Sequence, residues 1–380
     1  MSQLLHYAET LMRTPTAAYR EHWVAAHIDR FLAEMPGRKE LRTDRFGNRW
    51  IRIRRGEPRF APVALVAHMD HPSFLVHGVE DGGRRVVGIF EGGVNDPYFL
   101  GTRARLYRSA QDEGVGATVV QAGLKTGGAE GTRPVILEAD SDATGAVLGM
   151  WDLPAFELRD GMVRSRAIDD LGGCAMILEA LRRAALHNGD VDLIGLFTRA
   201  EEVGFRGALA LARSPERHQY LPADAWVVSV ETSSARPTTP IGGGAVLRVG
   251  DRSSIFAPEV SAALRDVSDE LAATTGHRGL RRALMDGGTC EATAFVAYGW
   301  RAGGVCVPLG NYHNMNVETA RIDSEYVAAQ DMEDLAAVMA RLGCGGALAA
   351  DGKGAAAKLL ERLEGLADEA EPKLLATAGG

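Results

Sequence analysis

The sequence lacks the features that mark a secreted, membrane-bound or zinc-finger protein. It has only four cysteines in 380 residues and no CxxC pair, so neither a disulfide framework nor a zinc ribbon is predicted. Its first residues show no basic segment followed by an apolar one, and no run approaches about 18 uninterrupted apolar residues. We therefore expect a cytoplasmic protein with buried free thiols, no signal peptide and no membrane partner.

The sequence also has no excess of positive charge. Lysine and arginine total 42 against 50 aspartates and glutamates, which gives a formal net charge of −8. A surface that binds nucleic acid needs an excess of basic side chains to neutralise phosphates, so no nucleic-acid partner is predicted. The hydrophobic content of 46% and the charged content of 24% are ordinary for a globular protein, and the length supports a large core.

Segments of the chain differ in their hydrophobic pattern. Residues 1–73 and 158–345 alternate apolar strand-like runs with helical periodicity, which predicts one α/β domain. Within it, residues 322–342 are predicted to form an amphipathic helix. Residues 74–157 hold short β-like runs broken by glycine and aspartate, which predicts a small inserted all-β domain. Residues 346–380 are rich in alanine, lysine and glutamate, and we expect a C-terminal extension that is partly helical or disordered.

Two adjacent acids, Glu201 and Glu202, follow the buried strand predicted over 191–197 and precede a short predicted helix. Open α/β sheets place their ligands and catalytic groups at the carboxyl ends of strands. Because neighbouring residues point in different directions, one glutamate can bind a ligand while the other moves a proton. On this stretch alone, a solvated loop with two acids is the favoured interpretation.

A second apolar strand, predicted over 63–67, runs directly into His68 and, two residues later, Asp70. His68 can bind a metal through one ring nitrogen while Asp70 accepts the N–H of the other, as metal-binding histidines usually require. A core histidine that is satisfied by a neighbouring carboxylate explains the same pattern equally well.

Three further groups with metal-ligand chemistry stand at the ends of predicted elements. Glu231 and His313 follow strands, and Asp169 precedes a helix, where capping is its alternative role. Parallel strands end at one edge of a sheet, so two histidines and three carboxylates can converge in one cleft. This set suits two divalent ions roughly 3.5–4 Å apart, with one carboxylate bridging and one of the paired glutamates left as a base. Zinc or cobalt is favoured, and manganese also fits.

Five motifs in the same order resemble those of the M42 family of metallo-aminopeptidases, and residues 40–54 resemble the family's N-terminal segment. The motifs are Ala67-His68-Met69-Asp70; Ala167-Ile168-Asp169-Asp170 with Gly173-Cys174; Ala200-Glu201-Glu202-Val203-Gly204-Phe205-Arg206-Gly207-Ala208; Gly287-Gly288-Thr289; and Val307-Pro308 followed by His313. Each motif alone is weak or moderate, whereas their co-occurrence over roughly residues 3–342 is highly specific.

The resemblance implies a mixed-sheet α/β/α metallopeptidase domain and a role for each site residue. The implied roles are His68 and Glu231 for one metal, Glu202 and His313 for the other, Asp169 as the bridge, Glu201 as the general base and Asp70 as the residue that orients His68. It also implies short peptide substrates and a homo-oligomer, which in relatives is a shell of twelve subunits assembled with the help of the small β domain.

Several positions depart from the family's common pattern and leave the preferred substrate open. Glu231 stands where aspartate is usual, and Cys290-Glu291 replaces a more typical Asp-Ala. His71 begins a His-Pro-Ser segment where Glu-Ile-Gly is usual, and we interpret it as a surface residue rather than a substrate contact. His77 is interpreted in the same way.

The predicted reaction is hydrolysis of an N-terminal peptide bond. One alternative keeps the dinuclear site but changes the substrate, giving a deacylase or amidohydrolase that acts on small N-acyl compounds. A second alternative is a non-catalytic scaffold that keeps only the fold and the assembly. The presence of all five candidate ligands and of the candidate base argues against the scaffold.

Overall fold

A mixed eight-stranded sheet forms the centre of the molecule. The computed structural model describes residues 2–126, 131–346 and 354–377. The strands, numbered along the chain, are β1 (Glu40–Thr43), β2 (Arg49–Arg55), β3 (Val63–His68), β4 (Ser73–Glu80), β5 (Arg85–Glu91), β6 (Arg103–Tyr107), β7 (Val115–Ala122), β8 (Thr132–Ala139), β9 (Leu148–Trp151), β10 (Glu157–Arg159), β11 (Met162–Ser165), β12 (Val191–Thr198), β13 (Trp226–Ser234), β14 (Val246–Asp251), β15 (Arg281–Met285), β16 (Arg301–Leu309), β17 (Met315–Asn316), β18 (Arg321–Ile322) and β19 (Glu325–Ala328).

The helices are distributed over both halves of the chain. They are α1 (Gln3–Arg13), α2 (His22–Glu34), α3 (Leu171–Leu186), α4 (Arg206–Ala212), α5 (Arg217–Tyr220), α6 (Pro258–Thr275), α7 (Glu291–Ala297), α8 (Ala329–Gly343) and α9 (Gly354–Thr377). Asp170 caps α3, because its carboxylate accepts a hydrogen bond from the amide of Gly173 at 3.0 Å. This cap fixes where α3 begins, two residues after the candidate ligand Asp169.

The central sheet has the strand order β1-β2-β12-β3-β13-β16-β14-β15. The four middle strands β12, β3, β13 and β16 run parallel, whereas β2 and β14 flank them in the opposite direction. Thr198 of β12 pairs with His68 of β3, so these two strands end level with each other. The residues that follow the middle strands therefore share one edge of the sheet.

Side chains of the parallel strands alternate between two apolar cores. Val63, Leu65 and Ala67 of β3 join a core formed with α1, α2, α3, α6 and α8. Ala64 and Val66 face the opposite side, where they join a core formed with α4 and α7. Every residue of β3 and β12 is buried, as expected for parallel strands that are covered on both faces. The predicted mixed-sheet α/β/α architecture is confirmed.

A small closed barrel lies between β3 and β10 in the sequence. Its antiparallel strands follow the order β4-β5-β8-β7-β6-β9. Phe74, Phe90, Phe99 and Trp151 fill its core with edge-to-face ring contacts whose centroids lie 4.8 to 5.5 Å apart. The predicted β insertion is present, while the exact domain boundaries at 74 and 157 stay a prediction.

The helix predicted over 322–342 begins later than expected. Residues Glu325–Ala328 form β19, and α8 starts only at Ala329. β19 pairs antiparallel with β11, and Glu325 lies opposite Ser165. Local helical periodicity does not reveal this pairing, because its partner strand is distant in the sequence.

The C-terminal extension contains α9, which spans Gly354–Thr377. Leu360, Leu363 and Leu366 are exposed on this helix. Residues 347–353 and 378–380 of the predicted extension lie outside the described residues. Within the described part of the chain, we find no helix that is both long and apolar enough to cross a membrane.

Candidate metal centre

The sheet edge and the start of α3 bring the predicted metal-site side chains together. His68 is the last residue of β3, Glu201 and Glu202 follow β12, His313 lies in a single helical turn after β16, and Asp169 lies two residues before α3; Glu231 belongs to β13. The five candidate ligands are almost fully buried, and Glu201 exposes 13% of its side chain.

The strand position of Glu231 differs from the prediction. This residue was expected to follow its strand, but β13 continues to Ser234. The strand is longer because β13 stays paired with β16 up to the Ser234–Leu309 pair. Glu231 nevertheless faces the same cavity as His68 and His313.

Asp169 lies between the two histidines. Its Oδ1 is 3.6 Å from Nε2 of His68, and its Oδ2 is 3.7 Å from Nε2 of His313. A carboxylate whose two oxygens face two different imidazoles has the geometry of a ligand shared by two metal ions.

Further carboxylates lie next to each histidine. Glu202 Oε2 is 3.2 Å from Nε2 of His313. Ligand atoms of His68, Asp170 and Glu231 lie within 4.8 Å of one another, as do those of His68, Asp169 and Glu202. In the first of these groups, Asp170 already accepts the capping amide of Gly173.

The buried donor atoms fit divalent cations. Among the described residues, Asp169 Oδ1 and Glu202 Oε1 are buried without a hydrogen-bond partner. Burial of unpaired carboxylate oxygens is costly, and a positive ion at these atoms offsets that cost. Imidazole and carboxylate together favour zinc, cobalt or manganese over magnesium or calcium.

Asp70 contacts both the His68 ring and the main chain of the paired glutamates. Nδ1 of His68 lies 3.1 Å from the main-chain carbonyl oxygen of Asp70 and 3.6 Å from its carboxylate Oδ1. The two carboxylate oxygens accept the amide N–H groups of Glu201 at 3.0 Å and Glu202 at 3.1 Å. Asp70 therefore fixes the His68 ring through its main chain and the paired glutamates through its side chain.

Glu21 is a second support for the same loop, and it was not predicted from the sequence. This buried carboxylate accepts the amide of Ala200 at 2.9 Å and the guanidinium of Arg199 at 2.7 Å. Ala200 has a φ of 53°, a left-handed conformation that non-glycine residues rarely adopt. An acid just before a helix is an ordinary sequence feature, so no local signal distinguishes Glu21.

Glu325 connects the main chain at Asp169 to the main chain at His313. This role was also not predicted from the sequence. Its Oε2 accepts the amides of Ile168 at 2.7 Å and Asp169 at 3.1 Å, and its Oε1 accepts the amide of His313 at 3.0 Å. The residue is fully buried in β19. It lies within the amphipathic helix predicted over 322–342, where a glutamate is an ordinary surface residue.

The prediction that His71 lies on the surface is wrong. His71 is 1% exposed, its Nδ1 contacts the carbonyl oxygen of Asp169, and its Nε2 lies 3.0 Å from Oδ1 of Asn314. The neighbouring Pro72 suggested an exposed turn, but the barrel covers it at Gly92. His77 is exposed, as predicted.

Burial controls the protonation of the site. It raises the pKa of Glu201 well above its ordinary value; His68 opposes this shift, while Glu231 and Glu291 increase it. Burial lowers the pKa of His313 to about 4, so this imidazole is neutral at pH 7, as a metal ligand must be. Burial also raises the pKa of Glu291, which the sequence marked only as a departure from the family pattern, to about 8.

A cavity of about 320 Å³ opens beside the candidate ligands. Its lining also includes Met285, Cys290 and Arg248. Arg248 is 4% exposed, and it has no carboxylate partner at ion-pair distance among the described residues. Its Nε has no hydrogen-bond partner there either, and its Nη1 lies 3.5 Å from Oγ of Ser233. The cavity therefore combines a metal-binding wall with a buried cation.

Comparison with known proteins assigns the chain to a family. A family model described as M42 glutamyl aminopeptidase matches residues 145–332, the segment that holds four of the five candidate ligands. The chain belongs to the M42 peptidase family. This M42 peptidase is 27% identical over 290 residues to a protein of Acetivibrio thermocellus named "Putative aminopeptidase"; the match covers 74% of this chain and 83% of the relative.

Solved structures share the fold of this M42 peptidase at lower sequence identity. An aminopeptidase from the archaeon Desulfurococcus kamchatkensis superposes with a TM-score of 0.70 at 20% identity, covering 90% of this chain and 94% of the other. The Pyrococcus horikoshii TET1 peptidase, described as assembling into a tetrahedron or a large octahedral shell, superposes with a TM-score of 0.70 at 19% identity. That match covers 90% of this chain and 99% of the other.

Proposed function

We propose that this M42 peptidase is a dinuclear metal-dependent aminopeptidase that removes N-terminal residues from short peptides. The observation that carries the proposal is Asp169, whose two carboxylate oxygens face one histidine each. The proposed ligands are His68 and Glu231 for the first ion, Glu202 and His313 for the second, and Asp169 for both. Zinc or cobalt is the proposed metal, with manganese as a further possibility.

Glu201 is the proposed general base. When bound by these ligands, two cations would supply Lewis-acid chemistry for the scissile carbonyl and the attacking water. Glu201 accepts the proton of the attacking water and delivers it to the leaving amine. The hydrogen bond from its main-chain amide to the Asp70 carboxylate holds Glu201 in place beside the candidate ligands.

Arg248 supports a preference for acidic N-terminal residues. Its buried guanidinium lines the cavity within electrostatic range of Glu231 and Asp251, but no carboxylate of the described residues lies at ion-pair distance, so a substrate carboxylate would be its direct partner. The matching family model is likewise described as glutamyl aminopeptidase. The pocket therefore suits aspartyl or glutamyl side chains.

Replacing Arg248 tests this preference. We expect Arg248→Met to lower kcat/KM for a glutamyl anilide about 10- to 100-fold relative to a leucyl anilide, because a charge-assisted hydrogen bond is lost. Arg236→Met is the matched control, since Arg236 lines the same cavity but already pairs with Asp286 at 2.8 Å. An unchanged preference in Arg248→Met would exclude Arg248 from substrate recognition.

We also propose that the protein is a cytoplasmic homo-oligomer, with a dodecamer as the proposed assembly. A dodecamer is described for one solved structure that shares the fold over 90% of this chain. The four cysteines are free, which supports a reducing compartment.

Metal content and substrate class test the proposed function directly. The purified protein is dialysed against a chelator, reloaded with zinc, cobalt or manganese, and measured for bound metal and for hydrolysis of aminoacyl anilides. We expect two ions per chain and activity that is lost and restored with them. Hydrolysis of N-acyl amino acids in place of the anilides would favour the deacylase alternative, and inactivity with both classes would favour the scaffold.

A further inference from the structure

A second cavity continues the one beside the metal centre. It has a volume of about 550 Å³, and Ser234 and Tyr312 line both cavities. Tyr312 stacks on the candidate ligand His313 with ring centroids 3.8 Å apart. The second cavity, which we call the exit groove, therefore begins next to the reacting centre. Its lining residues include Arg164, Leu309, Met315, Val317 and Tyr326.

Arg164 provides an uncommitted cation in the exit groove. Arg164 on β11 and Tyr326 on β19 are cross-strand partners, and the guanidinium lies 4.9 Å from the centroid of the Tyr326 ring. This half-buried guanidinium makes no side-chain hydrogen bond or ion pair to the described residues. Stacking holds the side chain in place and leaves its N–H donors free for an acceptor in the groove.

Another part of the exit groove lining is apolar and anchored. Val317, at the tip of the β17–β18 hairpin, exposes 82% of its surface, and Met315 lines the groove beside it. The hairpin is tied to the barrel, because Met315 and Ile322 pack against the barrel core. Sδ of Met315 also accepts the amide of Asn95 at 3.5 Å. The groove lining therefore combines a fixed apolar part with the Arg164 guanidinium, and Glu318 and Asp323 also line it.

We propose that the exit groove binds the residues that follow the scissile bond of an extended peptide substrate. Arg164 binds carbonyl or C-terminal carboxylate oxygens of this downstream segment, and Val317 and Met315 contact its side chains. The inference rests on the proposed aminopeptidase function. The two cavities are continuous at Tyr312. When the N-terminal residue of a peptide occupies the Arg248 cavity, the rest of the peptide therefore runs past Tyr312 into the exit groove.

The chemistry of the groove suits a peptide better than a compact N-acyl compound. An extended chain advances about 3.3 Å per residue and presents carbonyl oxygens along its length, which are acceptors for a guanidinium. A one-residue substrate such as an anilide ends close to Tyr312 and gains nothing from Arg164. Substrate length is therefore the property that the groove controls.

A peptide-length series tests the proposal. The substrates are a glutamyl anilide, Glu-Ala, Glu-Ala-Ala and Glu-Ala-Ala-Ala. The tripeptide and the tetrapeptide are also measured with an amidated C-terminus. We expect kcat/KM to rise about tenfold or more from the dipeptide to the tetrapeptide. In Arg164→Ala, the ratio of tetrapeptide to anilide kcat/KM should fall about tenfold, mainly through KM, and Arg164→Lys should recover part of it. If amidation of the C-terminus lowers kcat/KM, Arg164 contacts the terminal carboxylate. If amidation leaves kcat/KM unchanged, Arg164 contacts peptide carbonyl oxygens.

Arg159→Ala is the matched control, because Arg159 lies on the neighbouring strand β10 with an 82% exposed side chain outside the groove. It should leave every ratio unchanged. A wild-type enzyme with no length dependence, or an Arg164→Ala ratio equal to that of the control, would overturn the exit groove while leaving the aminopeptidase proposal intact. Failure to hydrolyse any member of the series would instead overturn the proposed function itself.

Discussion

Glu201→Gln is expected to lower kcat by about 100- to 10,000-fold while the protein keeps its full metal content. The magnitude is that of removing a positioned general base. The amide group of glutamine has nearly the same shape but cannot accept the proton of the attacking water. The main-chain contact to Asp70 is unaffected, so the loop keeps its position. Steady-state kinetics and elemental analysis of the same preparation measure both quantities.

The neighbouring Glu202→Gln is the matched comparison. Its Oε2 lies 3.2 Å from Nε2 of His313, whereas Oε2 of Glu201 lies 3.8 Å from Nε2 of His68. We expect Glu202→Gln to lose metal as well as activity, because a ligand oxygen is replaced. If Glu201→Gln lost the metal and Glu202→Gln retained it, the two roles would be reversed.

Glu325→Gln is expected to weaken metal binding about 10- to 100-fold without removing any proposed ligand. The carboxylate accepts three amide N–H groups, those of Ile168, Asp169 and His313. A glutamine has one carbonyl oxygen, so its NH₂ group faces at least one of these donors. That mismatch displaces the segment of Asp169 or that of His313, and comparable outer-shell changes have effects of this size.

Thermal unfolding and metal titration measure this effect. An unsatisfied buried amide costs about 1–3 kcal/mol, so Glu325→Gln should also unfold at a lower temperature than the native protein. Glu270→Gln is the control, because Glu270 is an exposed acid that pairs with Arg341 on the surface, where such pairs contribute about 0–1 kcal/mol. Native metal affinity in Glu325→Gln would show that the three amides hold their positions without the carboxylate.

The predicted fold class and M42 membership are confirmed. The apolar runs before His68 and Glu201 showed two buried strands, and the short runs after residue 74 showed the barrel. These features are local, because hydrophobic periodicity and turn residues depend on neighbours in the sequence. The candidate ligands could also be predicted from the sequence, because each lies at or near the end of a strand or the start of a helix and the motifs occur in a specific order.

The residues that hold the site in place could not be predicted from the sequence, and the reason is physical. Glu21 and Glu325 act by accepting main-chain amides of segments far away in the sequence, so their own neighbours carry no sign of the contact. His71 was misplaced for the same reason, because the barrel that covers Pro72 lies outside its local sequence. Buried hydrogen-bond partners of this kind are selected by packing rather than by periodicity.

The sequence alone determined which side chains are candidates for metal binding and acid–base chemistry, because residue type and position after a strand or before a helix are local properties of the chain. Only the tertiary structure decided how they are arranged. It set the two oxygens of Asp169 between two histidines, Arg248 in the lining of the same cavity, and Arg164 over Tyr326 in the adjoining groove. These distances arise only when separate segments pack together, because residues that are far apart in the sequence meet only in the folded chain.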